Sequence, residues 1–192
     1  MKEKHLKNIH KHEKLTEKDR NIINFLIEKN KKIKTNKVSV TINMEIKGQS
    51  RHRAARFGGY YDPSAAHKKE VLAEFLRKAK KQLKHIDIPI STMAKIKIIH
   101  YRRIPGSFSK INRILAELKI LKPDNKPDLD NVGKLIIDAL TTRKKKPYAF
   151  FKDDVQITDI KLKSYYSYKP RCKIIITYNK KKFKKYKRGI TA

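Results

Sequence analysis

Two aspartates, Asp128 and Asp130, stand two residues apart in the stretch KPDLDNVGK, just before a helix-like run. In an extended segment, side chains at positions i and i+2 share a face, so both carboxylates can point toward one place. Hard cations such as Mg²⁺ bind through one or two carboxylates together with water and phosphate oxygens. The pair therefore suits a metal site that acts on a phosphate ester, and turn and helix-cap chemistry is the alternative interpretation.

A polar stripe continues along the helix predicted after this pair. Counting about 3.6 residues per turn, Lys134 lies one turn beyond Asp130 and Asp138 lies two turns beyond it, on nearly the same face. Asp130 or Asn131 is the expected N-cap. The apolar sides of this helix are formed by Val132, Leu135, Ile136 and Leu140. The stripe is more polar than core packing requires, although Asp138 could simply pair with Lys134.

A second acidic pair, Asp153 and Asp154, stands at the head of the strand-like run VQITDIKLK. Adjacent carboxylates repel each other, which costs stability unless a cation or several hydrogen-bond donors compensate. Alternation along a strand would send the two side chains to opposite faces. At most one of them is therefore expected to join Asp128 and Asp130.

The composition indicates a polyanionic partner. The chain has 50 basic and 18 acidic residues among 192, which gives a net charge of +32. A field of this sign raises the local concentration of polyanions, so nucleic acid is the first expected partner and an anionic membrane surface the second. A lysine-rich composition that serves only solubility is the remaining interpretation.

Of these two possible partners the sequence favours nucleic acid, and it predicts a soluble, cytoplasmic protein without a membrane partner. No stretch approaches the roughly 20 apolar residues of a membrane span, and the charged N-terminus MKEKHLKNIHKHEK has no apolar run behind it. The single cysteine, Cys172, cannot form an internal disulfide, which fits a reducing cytosol.

Composition divides the chain into three parts. Residues 1–36 form a basic extension, in which Thr16 is an N-cap signal and the helical spacing of NIINFLIEK predicts a helix over about residues 16–31. Residues 37–180 form the globular domain. Residues 181–192 form a basic tail.

Sequence patterns also predict the elements of the domain. KVSVTINMEI alternates apolar and polar residues, as a half-buried strand does, and MAKIKIIHYRRI predicts a second strand. Asp62 and Pro63 are expected to begin a helix whose apolar stripe includes Val71 and Phe75. A short helix is predicted over about residues 111–118, and two strand-like runs follow the second acidic pair.

These motifs resemble a known family. KPDLDNVGKLIIDAL, followed by FFKDDVQITDIKLKSYY, resembles the RusA-type Holliday junction resolvases of phages and prophages, whose signature is Pro-Asp-x-Asp-Asn-x-x-Lys with a later Asp-Asp-x-Gln. The lead-in SKINRILAELKILKPDNKPDLDN also resembles phage members, as does the basic segment KGQSRHRAARFGGYYDP with its expected turn at Gly58 and Gly59. The resemblance covers roughly residues 38–180.

The resemblance implies which residues form the site. Asp128, Asp130 and Asp154 would bind the metal and take part in catalysis, and Lys134 would be the essential lysine. Gln156 stands in the position of the family's Gln and is expected to support the strand or the site. DNA contacts are expected from Arg51, Arg53, Arg56, Lys126 and Lys134.

One position departs from the family pattern. Gly133 replaces the bulkier residue that is usual before the lysine. A glycine in this place could loosen the first helical turn.

The resemblance also implies the fold, the cofactor and the partners. The expected fold is α+β, a single small domain with a mixed β-sheet flanked by helices. The expected cofactor is Mg²⁺, with Mn²⁺ able to substitute, and the expected substrate is four-way junction DNA. A two-fold symmetric substrate suits a homodimer. Two other functions stay open, namely a related metal-dependent nuclease on flaps or replication forks and a non-catalytic nucleic-acid-binding protein.

Overall fold

The computed structural model describes residues 15–54, 56, 58–141 and 149–185. These residues fall into two compact units. The larger unit is Thr35–Asn179, and the smaller one combines residues before Thr35 with residues after Asn179. Residues 1–14 of the predicted extension and 186–192 of the predicted tail lie outside the described part of the chain.

The smaller unit contains the helix α1 (Glu17–Lys31), which confirms the predicted helix. Thr16 Oγ1 accepts a hydrogen bond from the Asp19 N–H at 3.2 Å, and Asp19 Oδ2 accepts one from the Thr16 N–H at 2.9 Å. This capping box satisfies backbone donors that the first turn leaves free. Beyond the helix, Asn30 exchanges two hydrogen bonds with the backbone of Lys184, at 3.1 and 2.8 Å. The extension and the tail are therefore joined to each other.

A four-stranded mixed sheet forms the framework of the larger unit. In the part of the chain that the structure describes, the strands are β1 (Thr35–Ile42), β2 (Arg53–Ala54), β3 (Tyr60–Tyr61), β4 (Ala94–Arg103), β5 (Ile157–Ser167) and β6 (Arg171–Asn179). The main sheet has the order β1-β6-β4-β5, in which β5 is an edge strand parallel to β4 and the other pairs are antiparallel. β2 and β3 form a separate small hairpin. The turn predicted at Gly58 and Gly59 is confirmed, and both glycines have positive φ.

Three α-helices among the described residues complete the larger unit: α2 (Ala65–Leu83), α3 (Lys110–Glu117) and α4 (Leu129–Leu140). α2 and α4 share one apolar core with the sheet, which includes Phe75, Leu135, Ile98 and Ile174. The predicted α+β fold, a mixed sheet flanked by helices, is confirmed. No helix among the described residues has both the length and the apolar character that crossing a bilayer requires.

The predicted element boundaries need two corrections. β1 ends at Ile42, so Met44 and Ile46 lie beyond the strand even though the alternating pattern continues through them. α2 begins at Ala65 rather than at Pro63, because Asp62 Oδ1 accepts a hydrogen bond from the Ser64 N–H at 2.9 Å and holds these residues in a turn. The short helix predicted near residues 111–118 is confirmed as α3.

Candidate active site

A cleft of about 410 Å³ lies between α4, the start of β5 and the turn that precedes β5. Asp130, Lys134 and Asp138 line it from α4, and Asp154 lines it from the turn. The helical count therefore placed the Asp, Lys and Asp stripe correctly on one face. We call this cavity the aspartate cleft.

The approach of α4 to β5 depends on a glycine. Gly133 is buried, and a Cβ atom at this position would lie 2.8 Å from Leu162 Cδ1, too close for an ordinary contact. The residue that the sequence marks as a weak point of the helix thus lets the helix pack closely on the edge strand.

Asp154 enters the aspartate cleft from a single 3₁₀ turn, Asp154–Gln156, and not from a strand. Asp153 is the N-cap of this turn, and its Oδ1 accepts a hydrogen bond from the Val155 N–H at 3.1 Å. Gln156 Oε1 accepts one from the Asp153 N–H at 2.8 Å, and Gln156 Nε2 donates to the Thr92 carbonyl at 3.0 Å. The premise of strand alternation was wrong, because the turn residues bond to each other before β5 begins. The carboxylate of Asp153 is therefore engaged within the turn, whereas Asp154 lines the cleft.

Asp128 lies beside a different cavity. It is the N-cap of α4, makes no side-chain cap hydrogen bond, and lines a depression of about 730 Å³ with Arg51, Lys126 and Asn131. Asp128 itself is extended (φ −64°, ψ 146°), but α4 begins at Leu129, so the extended segment predicted for PDLD ends before Asp130. The predicted cap at Asp130 or Asn131 was wrong, because Asp128 is the N-cap. A helical first turn separates the directions of the two carboxylates, which an extended chain would have aligned.

The start of α4 is held by neighbouring segments that sequence reasoning missed. A Cβ at Gly48 would lie 2.7 Å from Pro127 Cβ, and the Gln49 N–H donates to the Asn131 carbonyl at 3.1 Å. From β4, Arg102 donates to the Asn125 carbonyl at 2.8 Å and also to the Lys126 carbonyl. The segment that carries Asp128 is thus fixed from two sides. The sequence contains no pattern that singles out Arg102 for this contact.

A buried lysine connects α2 to the far end of the aspartate cleft. The side chain of Lys68 is 3% exposed, and its Nζ lies 2.9 Å from Asp62 Oδ2 and 2.9 Å from Asp138 Oδ2. Asp138 therefore pairs with Lys68 and not with Lys134. Burial raises the pKa of Asp62, but hydrogen bonds from Lys68 and the Ser64 N–H outweigh it, so this pKa lies below its ordinary value. The position of Lys68 on the apolar stripe of α2, three residues before Val71, was the available signal.

The aspartates of the cleft supply two of the ligands that a hard cation needs, and the others would have to come from elsewhere. Among the described residues, no group of three or more His, Cys, Asp or Glu side chains is arranged to hold a metal ion. Asp130 and Asp154 are exposed and line one cleft, and their carboxylates carry no hydrogen bond or ion pair within the described part of the chain. Two carboxylates supplemented by water and phosphate oxygens are a donor set that Mg²⁺ accepts. These residues therefore fit such an ion in the presence of a phosphate ligand.

The five predicted DNA contacts fall into two groups. Arg51 and Lys126 line the depression beside Asp128, and Lys134 lines the aspartate cleft. Arg53 lies in β2 and Arg56 in the turn of the hairpin, and both are exposed. The structure brings three of the five to the two cavities that contain the predicted aspartates.

Comparison with known proteins identifies the family of the chain. Residues 43–177 match the family model described as Endodeoxyribonuclease RusA, and this range contains both acidic motifs. The chain is also 37% identical over 90 residues to the uncharacterized protein YqaN of Bacillus subtilis (strain 168). That alignment covers 46% of this chain and 56% of the relative, so the chain spans little more than half of the relative's length. On the match to the family model, which extends over most of its length, the chain belongs to the RusA endodeoxyribonuclease family.

Proposed function

We propose that this chain is a Mg²⁺-dependent, structure-specific endodeoxyribonuclease that resolves Holliday junctions by paired symmetric nicks in DNA recombination and repair. The observation that carries the proposal is the aspartate cleft, where Asp130, Lys134 and Asp154 meet in a member of the RusA family. A chain of net charge +32 has the field that capture of DNA requires.

In this proposal Asp130 and Asp154 hold the ion, because they line one cleft and have no protein partner among the described residues. Asp128 stays in the proposed set on the strength of the motif Pro-Asp-x-Asp-Asn-x-x-Lys, although it lines the neighbouring depression. A bound Mg²⁺ supplies activation of the attacking water and stabilisation of charge on the phosphate. We expect Mn²⁺ to substitute for Mg²⁺.

Lys134 has a separate role. Its ammonium group stands one turn along α4 from Asp130, on the same wall of the cleft. From there it can steady a phosphate oxygen and the negative charge that grows as the phosphodiester breaks. Arg51 and Lys126, around the adjoining depression, are suited to bind the phosphates that flank the scissile one.

The carboxylates and the basic residues act at different distances. Without a cation, Asp130 and Asp154 repel the phosphate that they must approach. The positive field of the whole chain overcomes this repulsion at long range, and the ion overcomes it at short range. Two like nicks in a two-fold symmetric junction are best made by two related sites, so we propose that the active form is a homodimer.

The decisive experiment compares cleavage of a synthetic four-way junction, a flap and a linear duplex of the same sequence, with Mg²⁺ and with excess chelator. We expect paired nicks in the junction, little cutting of the duplex and no cutting in chelator. Preferred cutting of the flap would show a related nuclease with another substrate. Tight binding without cutting of any of the three DNAs would show a non-catalytic binding protein.

A further inference from the structure

The sheet has a second face that the proposed site does not use. Residues that alternate with the core residues along the strands point away from α2 and α4. We call this side the open face. It bears six lysines, Lys37, Lys95, Lys97, Lys161, Lys163 and Lys173. Among the strand residues that the structure describes, Asp159 is the one carboxylate on this face, 3.5 Å from Lys95.

The lysines stand close together across the strands. Lys97 in β4 is directly opposite Lys161 in β5, and the adjacent row places Lys173 and Lys163 on the two sides of Ile99. Like charges on directly opposed residues destabilise a sheet. Folding by itself gains nothing from this arrangement, whereas a bound polyanion would offset the repulsion.

An aromatic pair lies at one end of the open face. Tyr101 and Tyr165 are directly opposite, with ring centroids 5.9 Å apart. The guanidinium of Arg171 lies 3.9 Å from the Tyr101 centroid, and the ammonium of Lys119 lies 5.5 Å from that of Tyr165. Rings and cations held in this way are the components with which proteins bind nucleic-acid bases and phosphates.

The open face and the aspartate cleft are connected through one strand. Along β5, Ile160 and Leu162 line the cleft, while Lys161 and Lys163 alternate with them and point to the open face. Because β5 is the edge strand, a ligand can reach both sides by passing around a single strand. A linear duplex cannot fold back around an edge, but the diverging arms of branched DNA already point in different directions.

We propose that the open face is a second DNA-binding surface, which holds the phosphate backbone of one junction arm while another arm enters the aspartate cleft. The choice of branched DNA as ligand rests on the proposed function. The choice of DNA as the polyanion rests on the lysine rows and on the adjoining aromatic pair.

The test neutralises the open face and compares it with an equal change elsewhere. One variant carries Lys97→Gln, Lys161→Gln and Lys173→Gln. The matched control carries Lys69→Gln, Lys80→Gln and Lys81→Gln, which remove the same charge from exposed positions of α2. Affinity for a four-way junction and for a linear duplex is measured by fluorescence anisotropy in chelator, over a range of salt concentrations, so that cleavage does not enter the result.

We expect the open-face variant to raise the junction Kd by about tenfold or more and to reduce the salt slope by about 2 to 3, as loss of three phosphate contacts requires. The control should change the Kd by less than about threefold. The melting temperature of the open-face variant should be equal or higher, because repulsion is removed. Single-turnover cleavage at saturating protein should stay within about threefold of the parent, since the cleft is intact.

Two results would overturn the proposal. Equal weakening by both variants would mean that only net charge matters, and unchanged junction affinity in the open-face variant would mean that DNA does not use this face. Failure of the proposed nuclease function is recognised separately. In that case the parent would not cut the junction, while the difference between the two variants in binding would persist.

Discussion

At the scale of single residues, the aspartates near the site differ in what already engages them. Asp153 caps the 3₁₀ turn, and Asp62 and Asp138 share the buried Lys68. Asp130 and Asp154 have no such partner among the described residues and line the same cleft. An unpaired carboxylate in a strongly basic chain is available to a cation. For this reason the proposed binding of the metal is assigned first to Asp130 and Asp154.

Asp130→Asn tests this directly. The substitution keeps the size of the side chain at an exposed position in the first turn of α4, so the fold should survive. An amide oxygen is a much weaker ligand for a hard cation, so we expect cleavage of a four-way junction to fall by at least about a hundredfold. Junction affinity in chelator should be equal or slightly higher, because a negative charge has been removed.

Asp153→Asn is the matched control for this experiment. It makes the same chemical change in a residue that caps the turn, and asparagine caps equally well. This variant should keep most of the parent's activity. Equal losses in both variants, or full activity of Asp130→Asn, would contradict the assignment of Asp130 to the metal.

His100 should make stability depend on pH. It is buried in β4, its Nε2 has no hydrogen-bond partner within the described residues, and burial followed by the charge of Arg102 lowers its pKa from 6.5 to about 4. Because the pKa of His100 is lower in the folded protein, the unfolded chain binds a proton more readily than the folded chain does. The free energy of unfolding should therefore be unaffected above pH 6.5 and fall by up to about 3 kcal/mol as the pH drops to about 4.

Urea denaturation between pH 8 and pH 4 measures this effect. In His100→Leu the titrating group is absent and replaced by a side chain of similar size, so the loss of stability across this range should be smaller than in the parent. Parallel curves for the two proteins would show that His100 does not carry the pH dependence.

At the scale of elements, α4 is positioned by contacts along its length. Arg102 and Gly48 fix the segment before it, Gly133 lets it approach β5, and Lys68 ties Asp138 to α2. The helix that carries Asp130 and Lys134 thus depends on neighbours that are distant in sequence. A substitution that displaces α4 should therefore reduce catalytic activity as well as stability.

Lys68→Met tests the link between α2 and α4. The change keeps an unbranched chain of similar length but removes the charge that lies between Asp62 and Asp138. Removing one partner of a buried ion pair leaves uncompensated charge, so unfolding free energy at pH 7 should fall by about 3 kcal/mol. The measurement is urea denaturation of the parent and the variant.

The pH dependence of this loss identifies its cause. The pKa of Asp62 is lowered in the folded protein, so the contribution of the pair is present above the ordinary aspartate pKa and is lost as the pH falls through the folded value. The deficit of Lys68→Met should therefore shrink in acid. A deficit that stays constant down to about pH 3 would indicate lost packing instead of lost charge pairing.

At the scale of the whole molecule, the chain is strongly basic, with 50 basic and 18 acidic residues. The described tail also takes part in structure, since Lys184 is bonded to Asn30 at the end of α1. We expect deletion of residues 182–192 to raise the junction Kd and reduce its salt slope, because basic residues are lost. Single-turnover cleavage at saturating protein should stay within a few-fold, because both acidic motifs lie far from the tail in sequence.

Deletion of residues 186–192 alone is the comparison, because it keeps Lys184 and its bonds to Asn30. Only the longer deletion should reduce the helical circular-dichroism signal of α1 on heating. Loss of the chemical step in either truncation would place the tail in the site and contradict this prediction.

The sequence alone determined the features that depend on local pattern. The helical stripe from Asp130 to Asp138, the capped helix α1, the strands of the mixed sheet and the family motif could all be read from residue type and spacing, because each is fixed within one or two turns of chain. The net charge likewise indicated a polyanionic partner.

Only the tertiary structure decided which groups meet. Asp128 and Asp130 look equivalent in the sequence, yet the start of α4 at Leu129 sends them to different cavities, and Asp138 finds Lys68 from another helix instead of its neighbour Lys134. The open face arises in the same way, because strands far apart in the chain align their lysines only when the sheet forms. Spacing within a segment fixes the direction of a side chain, but packing between segments fixes its partner.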